Sequence, residues 1–183
     1  MVVRAMSATT RRGWLVACVL LAAWTSPVRA DEDTLVGSTA ANWRLEGLDG
    51  RSYEMSRLRG KVVVLNFWAT WCAPCRIETK WLVRLYRQYQ GQGLEIVGIS
   101  MDEASDDAEV ARFAAKYTVP YPILLRGQTI ADNYGGIRYL PQMFFVDRTG
   151  RIVKHTRGIL DSATLEAEIL QLLKINSPAL TEE

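Results

Sequence analysis

Two near-continuous apolar runs set the strongest limit on how this chain can fold. The first is KVVVLNFW, from Lys61 to Trp68, and the second is LEIVGIS, from Leu94 to Ser100. Runs of this kind, rich in β-branched residues, are typical of strands that are covered on both faces. Between them, the segment from Ala73 to Tyr89 carries apolar residues at helical spacing. This strand–helix–strand order predicts parallel strands of one sheet, joined by a right-handed crossover.

The segments on either side extend this unit into a layered domain. Asp49-Gly50 stands between two short alternating runs, which indicates an N-terminal β-hairpin. A second hairpin is predicted for QMFFVDRTGRIVKH, whose turn contains a glycine. The other predicted elements are a helix near Asp106 to Tyr117, a short strand around YPILL, a short helix around Ile130 to Tyr134 and a closing helix from about Ser162 to Leu173. The order as a whole predicts a mixed α/β domain.

The first thirty residues are interpreted as a secretory signal peptide. A basic start with three arginines precedes an apolar core of eleven residues, Trp14 to Trp24, and Ala30 suits cleavage before Asp31. The core is shorter than the roughly 20 residues that span a bilayer. An uncleaved N-terminal membrane anchor is the alternative.

The length of the chain bounds its number of domains, and its charge bears on the class of partner that it could bind. The 183 residues suffice for one domain of ordinary size. We expect 31–41 to be a flexible leader, 42–176 the folded domain and 177–183 a C-terminal tail. The formal charge of the whole chain is +2, but the first thirty residues hold four arginines and no acid, so 18 basic and 20 acidic residues remain, a net of −2. A nearly neutral surface gives no electrostatic reason to expect nucleic acid binding.

The cysteines point to redox chemistry. Cys18 lies in the predicted signal peptide, so Cys72 and Cys75 remain. A bridge across so short a loop removes little entropy from the unfolded chain, which makes a purely structural disulfide the weaker interpretation. A closed zinc site needs four ligands, whereas the chain offers these two thiols and a single imidazole, His155. We interpret His155 as a surface or hydrogen-bonded residue, and we predict no metal and no cofactor.

The position of the pair suggests a role for each cysteine. The strand is expected to end at about Trp71, which puts Cys72 at the N-terminus of the next helix. Free backbone N–H groups and the helix dipole stabilise a thiolate there, so Cys72 is predicted to attack a substrate disulfide. Cys75, one turn further, would resolve the mixed disulfide. Trp68 and Trp71 would shield the pair and offer an apolar docking surface, with ordinary core packing as the alternative for Trp68.

The segment VVVLNFWATWCAPCRIE resembles the signature of thioredoxin-like proteins, and within them the exported TlpA/ResA/DsbE branch. The resemblance extends from about Asn42 to Leu173. It implies a thioredoxin-like α/β fold, in which a central mixed β-sheet is flanked by helices and preceded by an N-terminal β-hairpin. It also implies that Cys72 is the exposed nucleophile and Cys75 the resolving thiol. The residues implied to line the active site are Trp71, Ala73, Pro74, Leu140 and Pro141.

Two further roles come from the same resemblance. Pro141, in YLPQMFF, matches the cis-proline that faces the active site in this fold, so the backbone of Leu140 would pair with a substrate strand. A trans proline at the start of an edge strand is the alternative. Glu78, at i+3 from Cys75, matches a glutamate that the ResA-like branch places near its thiols. A partly buried carboxylate there would have a raised pKa and take the proton from Cys75, and an exposed helix carboxylate is the alternative.

Four positions depart from the pattern of that branch or of its superfamily. Asn66 stands where thioredoxins proper have a buried aspartate, and Lys80 where a proline is frequent. Arg126 and Gln142 stand where acidic residues are frequent. The last difference weakens the case for a dedicated role in cytochrome c maturation.

The resemblance implies an exported, periplasmic thiol-disulfide oxidoreductase. Ala73-Pro74 keeps a proline just before Cys75, as reducing members do, and lacks the Pro-His pair of strong oxidants, so we predict a reductant of disulfides in apo-cytochrome c or other exported proteins. A reductant must be recharged, which implies a membrane electron donor protein, and the N-terminal segment is a candidate membrane tether. The alternatives are a disulfide donor or isomerase and a copper-site assembly partner, although the latter would need Cys-x-x-x-Cys spacing.

Overall fold

The computed structural model describes residues 35–175. The predicted signal peptide, the start of the leader and the C-terminal tail lie outside the described residues. The helices and strands are β1 Arg44–Glu46, β2 Ser52–Glu54, β3 Val62–Trp68, α1 Ala73–Tyr89, β4 Leu94–Ser100, α2 Asp107–Tyr117, β5 Ile123–Leu124, β6 Gln142–Val146, β7 Ile152–Arg157 and α3 Ser162–Ile175. Within residues 35–175, no helix has the length and apolar character needed to cross a membrane.

Five strands form one sheet in the order β5-β4-β3-β6-β7. The strands β3, β4 and β5 run parallel, β6 is antiparallel to β3, and β7 is antiparallel to β6. The strands β1 and β2 form a separate antiparallel pair that the Asp49-Gly50 turn connects. The predicted mixed sheet and N-terminal hairpin are therefore confirmed.

The alternation of side chains along β3 decides which residues reach the active site. All seven residues of β3 are buried. Its odd-numbered residues pack with the hairpin layer and with the 3₁₀ turns that precede β6. Its even-numbered residues face the helices: Val62 and Val64 pack against α1 and α3, while Asn66 and Trp68 lie near the start of α1. Because successive strand residues point to opposite faces, this register puts Asn66 against Glu78.

The strand β3 ends earlier than predicted. It ends at Trp68 rather than at about Trp71, because the chain turns through 69–71 and the Cys72 N–H donates a 3.1 Å hydrogen bond to the carbonyl of Ala69. This turn still leaves Cys72 at the N-terminus of the helix, as the N-cap that precedes Ala73. The prediction for the start of α1 is therefore confirmed, although the boundary of the strand was wrong.

Two other predicted elements are shorter than expected. The short helix predicted around Ile130 to Tyr134 is a 3₁₀ turn, Ala131–Tyr134. The strand predicted around YPILL is limited to Ile123–Leu124. Pro122 lacks a backbone N–H for the ladder on one side, and on the other side Arg126 has a φ of 64°, which leaves the extended region.

Part of the segment expected to be a flexible leader is fastened to the sheet. The Gly37 N–H donates to Ile152 O (2.7 Å), the Ile152 N–H donates to Ser38 O (2.9 Å), and the Ala40 N–H donates to Gly150 O (2.9 Å). The side chain of Ala40 is also buried. These residues are more constrained than their polar composition indicated, because backbone hydrogen bonds hold a segment with few apolar side chains. The remaining domain boundaries stay predictions.

Candidate active site

Cys72 and Cys75 form a disulfide at the start of α1, with 5.3 Å between their Cα atoms. Cys72 is the N-cap of the helix, and its Sγ accepts a 3.3 Å hydrogen bond from the backbone N–H of Cys75. Pro74 lies in the first turn, where a missing N–H breaks no helical hydrogen bond. A thiolate formed at Cys72 on reduction would have this N–H donor and the positive end of the helix dipole beside it.

The two cysteines differ in access to solvent. Cys72 is 5% exposed and Cys75 is 1% exposed. The exposed nucleophile that the resemblance implied is therefore mostly covered in this disulfide form, because Cys72 packs in a cluster that includes Trp68 and Phe113. Cys72 is nevertheless the more accessible cysteine, as a nucleophile that meets a substrate needs to be.

The two tryptophans near the pair have opposite environments. Trp71 is 66% exposed, whereas Trp68 is 3% exposed and its ring centroid lies 4.3 Å from that of Phe113. Trp68 is thus a core residue, the alternative left open above, and Trp71 is the one available for docking. Ala73 is exposed and Pro74 half-buried next to it.

A cis peptide bond joins Leu140 to Pro141, as the resemblance implied. Leu140 packs against the same cluster as the two cysteines, so this loop borders the disulfide. The buried amide of Gln142 supports the loop: its Nε2 donates to Tyr139 O (3.0 Å), and its Oε1 lies 2.8 Å from Nε2 of His155. His155 is therefore a hydrogen-bonded residue, as expected for a lone histidine.

Glu78 is fully buried on α1, one turn after Cys75. Desolvation raises the pKa of its carboxyl from 4.5 to about 7, although hydrogen bonding from Asn66 and the nearby backbone N–H of Leu160 oppose the rise. The Asn66 amide donates a 2.8 Å hydrogen bond to Oε2. The other oxygen, Oε1, has no partner of ordinary hydrogen-bond geometry among the described residues. The burial expected for this carboxylate is therefore present, and the exposed alternative is wrong.

A carboxylate that sequence reasoning missed fixes the loop before Cys72. Asp102 is buried and accepts hydrogen bonds from the backbone N–H of Thr70 on both oxygens (3.1 and 3.0 Å). It also accepts from the hydroxyl of Thr70 (2.6 Å) and from the hydroxyl of Ser100 (2.9 Å). Since Asp102 follows the carboxyl end of β4, next to the end of β3, the meeting of parallel strand ends was a signal that could have found it.

Tyr121 is a second residue that the sequence analysis did not single out. It is buried, and desolvation and then the charge of Glu78 raise the pKa of its hydroxyl. A Cβ atom on Gly98 would lie 3.4 Å from the Tyr121 ring and 3.1 Å from Nε1 of Trp68. Glycine in the middle of β4 therefore allows both rings to approach the sheet, and a glycine inside a predicted strand was the available signal.

Two further departures from the family pattern, Lys80 and Arg126, have the following places in the structure. Lys80 is exposed on α1. Arg126 forms a two-pronged ion pair with Asp107 at the start of α2, with N–O distances of 2.7 and 2.8 Å. Residues 35–175 contain no group of three or more His, Cys, Asp or Glu side chains arranged to hold a metal ion.

Comparisons with known proteins agree with this geometry. The family model described as AhpC/TSA family matches residues 36–155. The chain is 39% identical over 140 residues to the thiol-disulfide oxidoreductase ResA of Halalkalibacterium halodurans, covering 75% of this chain and 77% of that protein. It is 35% identical over 134 residues to ResA of Geobacillus thermodenitrificans, covering 73% and 76%.

A solved structure shares the fold. The candidate thiol:disulfide interchange protein DsbE from Chlorobium tepidum has a TM-score of 0.69 at 27% identity, over 75% of this chain and 97% of that chain. The region matched by the family model contains the cysteine pair, Glu78 and Pro141. The similarity therefore spans the whole candidate active site.

Proposed function

Because the chain belongs to the AhpC/TSA family and is a thiol-disulfide oxidoreductase of the ResA/DsbE type, we propose that it reduces disulfides in exported proteins. The observation that carries the proposal is the disulfide at the start of α1 with a buried carboxyl one turn later. The choice of reductant over oxidant rests on Ala73-Pro74, since the residues between the cysteines strongly affect the reduction potential.

In the first step, the Cys72 thiolate attacks one sulfur of a substrate disulfide. The bond between Cys72 Sγ and that sulfur forms, the substrate S–S bond breaks, and the other substrate sulfur leaves as a thiolate that takes a proton from solvent. The N-cap position supports this step because the N–H of Cys75 and the helix dipole lower the energy of the attacking thiolate.

In the second step, Glu78 takes the proton of the Cys75 thiol. The Cys75 thiolate then attacks Cys72 Sγ, the mixed disulfide breaks, and the second substrate sulfur leaves as a thiolate that takes a proton from solvent, while Glu78 returns its proton to solvent. Overall the substrate gains two electrons and two protons, which the cysteine pair loses. A carboxyl with a pKa of about 7 suits this role, because near neutral pH it is partly ionised and its pKa is closer to that of a thiol than an ordinary glutamate's. Oε1 is the oxygen that can receive the proton, since Oε2 is held by Asn66.

The substrate would dock across the loop that contains the cis peptide bond. The backbone of Leu140 pairs with an extended substrate segment beside Cys72, and the exposed ring of Trp71 contacts apolar substrate side chains. Tyr139, also exposed, extends this surface on the side of Pro141.

The proposal also includes a compartment, an electron donor and a substrate. The basic start and short apolar core of the first thirty residues support export to the periplasm, with an N-terminal membrane tether as the alternative to cleavage. A reductant in an oxidising compartment must be recharged, so a membrane protein supplies its electrons. Apo-cytochrome c is the candidate substrate, because haem attachment requires two free thiols in a Cys-x-x-Cys-His motif.

The experiment that tests the direction of electron flow is a measurement of the reduction potential of the Cys72–Cys75 pair in glutathione and dithiothreitol buffers. Two reference proteins bracket the outcome, thioredoxin at about −270 mV and DsbA at about −120 mV. A value near that of thioredoxin is expected. A value near that of DsbA would instead make the protein a disulfide donor or isomerase.

A matched variant calibrates that measurement. Replacing Ala73-Pro74 by Pro-His, the pair found in strong oxidants, is expected to shift the potential towards that of DsbA.

A second experiment tests the candidate substrate. A peptide with an oxidised Cys-x-x-Cys-His motif should be reduced faster than one in which the histidine is replaced by alanine. Equal rates for the two peptides would remove the support for cytochrome c as the preferred substrate.

A further inference from the structure

A basic cavity lies beside the cysteine pair. It has a volume of about 270 Å³ and lies between α1, α2 and the loop before Cys72. Its lining residues are Thr70, Arg76, Glu109, Arg112, Phe113, Lys116 and Tyr117. The steps proposed above use no residue of this lining.

The charges of the lining are unbalanced. Arg76, Arg112 and Lys116 are cationic and Glu109 is the single acid, so the cavity carries a net charge of +2. Glu109 forms an ion pair with Arg112. Arg76 and Lys116 form no ion pair with any carboxylate in residues 35–175. The contacts they do make are to a carbonyl and to a ring: Arg76 donates to Thr70 O, and Lys116 lies 5.8 Å from the ring centre of Tyr117.

The neighbouring surface of α1 adds no acid that could neutralise the cavity. The only carboxylate of α1 is Glu78, which is buried. Its exposed charged residues are Arg76, Lys80, Arg84 and Arg87. At the start of α2, Asp107 is already paired with Arg126. An anionic group that entered the cavity would therefore meet cations on both helices.

The cavity is coupled to the reacting sulfurs through two of its lining residues. Thr70 precedes Cys72 by two residues and is held in place by Asp102. Phe113 forms part of the cavity wall and also packs in the cluster that contains Cys72 and Cys75. A group bound in the cavity would thus lie on the α2 side of the disulfide, which leaves the loop around Pro141 for the substrate backbone.

We propose that this cavity binds a carboxylate side chain of the disulfide-bearing protein, so that acidic residues near the cysteines of a partner are selected. The inference rests on the proposed function, because it assumes that the partner is a polypeptide whose disulfide reacts at Cys72. Two cations beside an aromatic wall suit an Asp or Glu side chain, because its carboxylate can accept hydrogen bonds from Lys or Arg donors in the lining. The contribution is electrostatic and surface-exposed, so it weakens as salt rises.

The test uses the reduced full-length protein and three synthetic peptides that share one disulfide loop. The flanking positions of the peptides carry Glu, Gln or Lys. The rate constant for reduction of each peptide is measured by stopped-flow tryptophan fluorescence at about 20 mM and about 500 mM salt. The wild type is expected to reduce the Glu peptide about ten-fold faster than the Lys peptide at low salt and less than about two-fold faster at high salt.

Two substitutions of Lys116 test whether the preference for the Glu peptide arises in the cavity. Lys116→Glu is expected to abolish or invert the preference, and Lys116→Gln to give an intermediate value. The matched control is Lys174→Glu, which makes the same change of charge on the exposed face of α3 and should retain the preference of the wild type. Because each protein is scored by its own ratio of Glu to Lys peptide rates, a change in overall activity does not affect the comparison.

Results that contradict only this inference can be distinguished from results that also contradict the proposed function. Equal rates for the three peptides in a wild type that reduces them all would overturn the inference and leave the proposed function standing. An equal loss of preference in Lys116→Glu and Lys174→Glu would also overturn it, because the effect would then come from net charge. A wild type that reduces none of the peptides would overturn the proposed function and this inference with it.

Discussion

The amide of Asn66 donates a 2.8 Å hydrogen bond to the carboxyl of Glu78, and both residues are buried. The bond joins the central strand β3 to the active-site helix α1, twelve residues further along the chain. It orients the carboxyl without supplying a charge, because an amide, unlike the aspartate of thioredoxins proper, is neutral. Glu78 is therefore the ionisable member of this buried pair.

The first prediction concerns the roles of the two cysteines. In a Cys18→Ser background, Cys75→Ser should accumulate a mixed disulfide with a peptide substrate, because Cys72 can attack but nothing resolves the product. Cys72→Ser should form little of it, since Cys75 is almost fully buried. Intact-mass analysis after mixing with the peptide checks both variants. Trapping by Cys72→Ser in place of Cys75→Ser would reverse the assignment.

The second prediction concerns proton transfer by Glu78. Glu78→Gln should slow the resolution of the mixed disulfide by about 100-fold, the lower end of the effect of a general base. In the wild type this rate should rise with pH through an apparent pKa near 7, and the variant should lack that rise. Single-turnover release of reduced peptide measures it. Exposed Glu103→Gln is the control, and an identical pH profile in Glu78→Gln would exclude Glu78 as the base.

The third prediction is a pH dependence of stability. The pKa of Glu78 is raised from 4.5 to about 7 on folding, so its contribution is fully present below pH 4.5 and is lost as the pH rises through about 7. A change of this size corresponds to at most about 3 kcal/mol. Urea unfolding of the disulfide form from pH 4 to 8 should show this loss in the wild type relative to Glu78→Gln. A difference between the two that stays constant with pH would contradict the raised pKa.

The fourth prediction concerns the buried carboxylate behind the active-site loop. Asp102→Asn should lower the free energy of unfolding by about 2 to 3 kcal/mol, because an amide nitrogen would replace one oxygen that accepts from Thr70 or Ser100. Asp132→Asn, on the exposed 3₁₀ turn, is the matched control and should have little effect. Chemical denaturation measures both variants. Equal stability of Asp102→Asn and wild type would mean that the network contributes nothing net.

The fifth prediction separates the two tryptophans near the disulfide. Trp68→Ala should destabilise the fold by about 3 to 5 kcal/mol, since Trp68 is buried against Phe113. Trp71→Ala should change stability by no more than about 0.5 kcal/mol, because Trp71 is exposed, but it should raise KM for protein disulfides several-fold. Thermal unfolding and steady-state kinetics check the contrast. A KM unaffected by Trp71→Ala would remove Trp71 from the docking surface.

The sequence by itself determined the order of the elements and the place of the cysteine pair. Strand and helix periodicities are local properties, so the bounds of α1, Ala73–Tyr89, and of β4, Leu94–Ser100, agree with the predictions. The same locality put Cys72 at a helix start. The cis state of the bond before Pro141 is different, because it was predicted from the family resemblance and not from the local pattern.

Only the tertiary structure decided how the site is surrounded. Glu78 could be placed one turn from Cys75 by counting, but its burial depends on β3 supplying Asn66 and on the chain near Leu160 covering it. Asp102 is 32 residues from Thr70 in sequence and still holds the loop before the pair. The physical reason is that desolvation and long-range hydrogen bonds depend on which segments fold over a residue, and no local pattern of side chains contains that information.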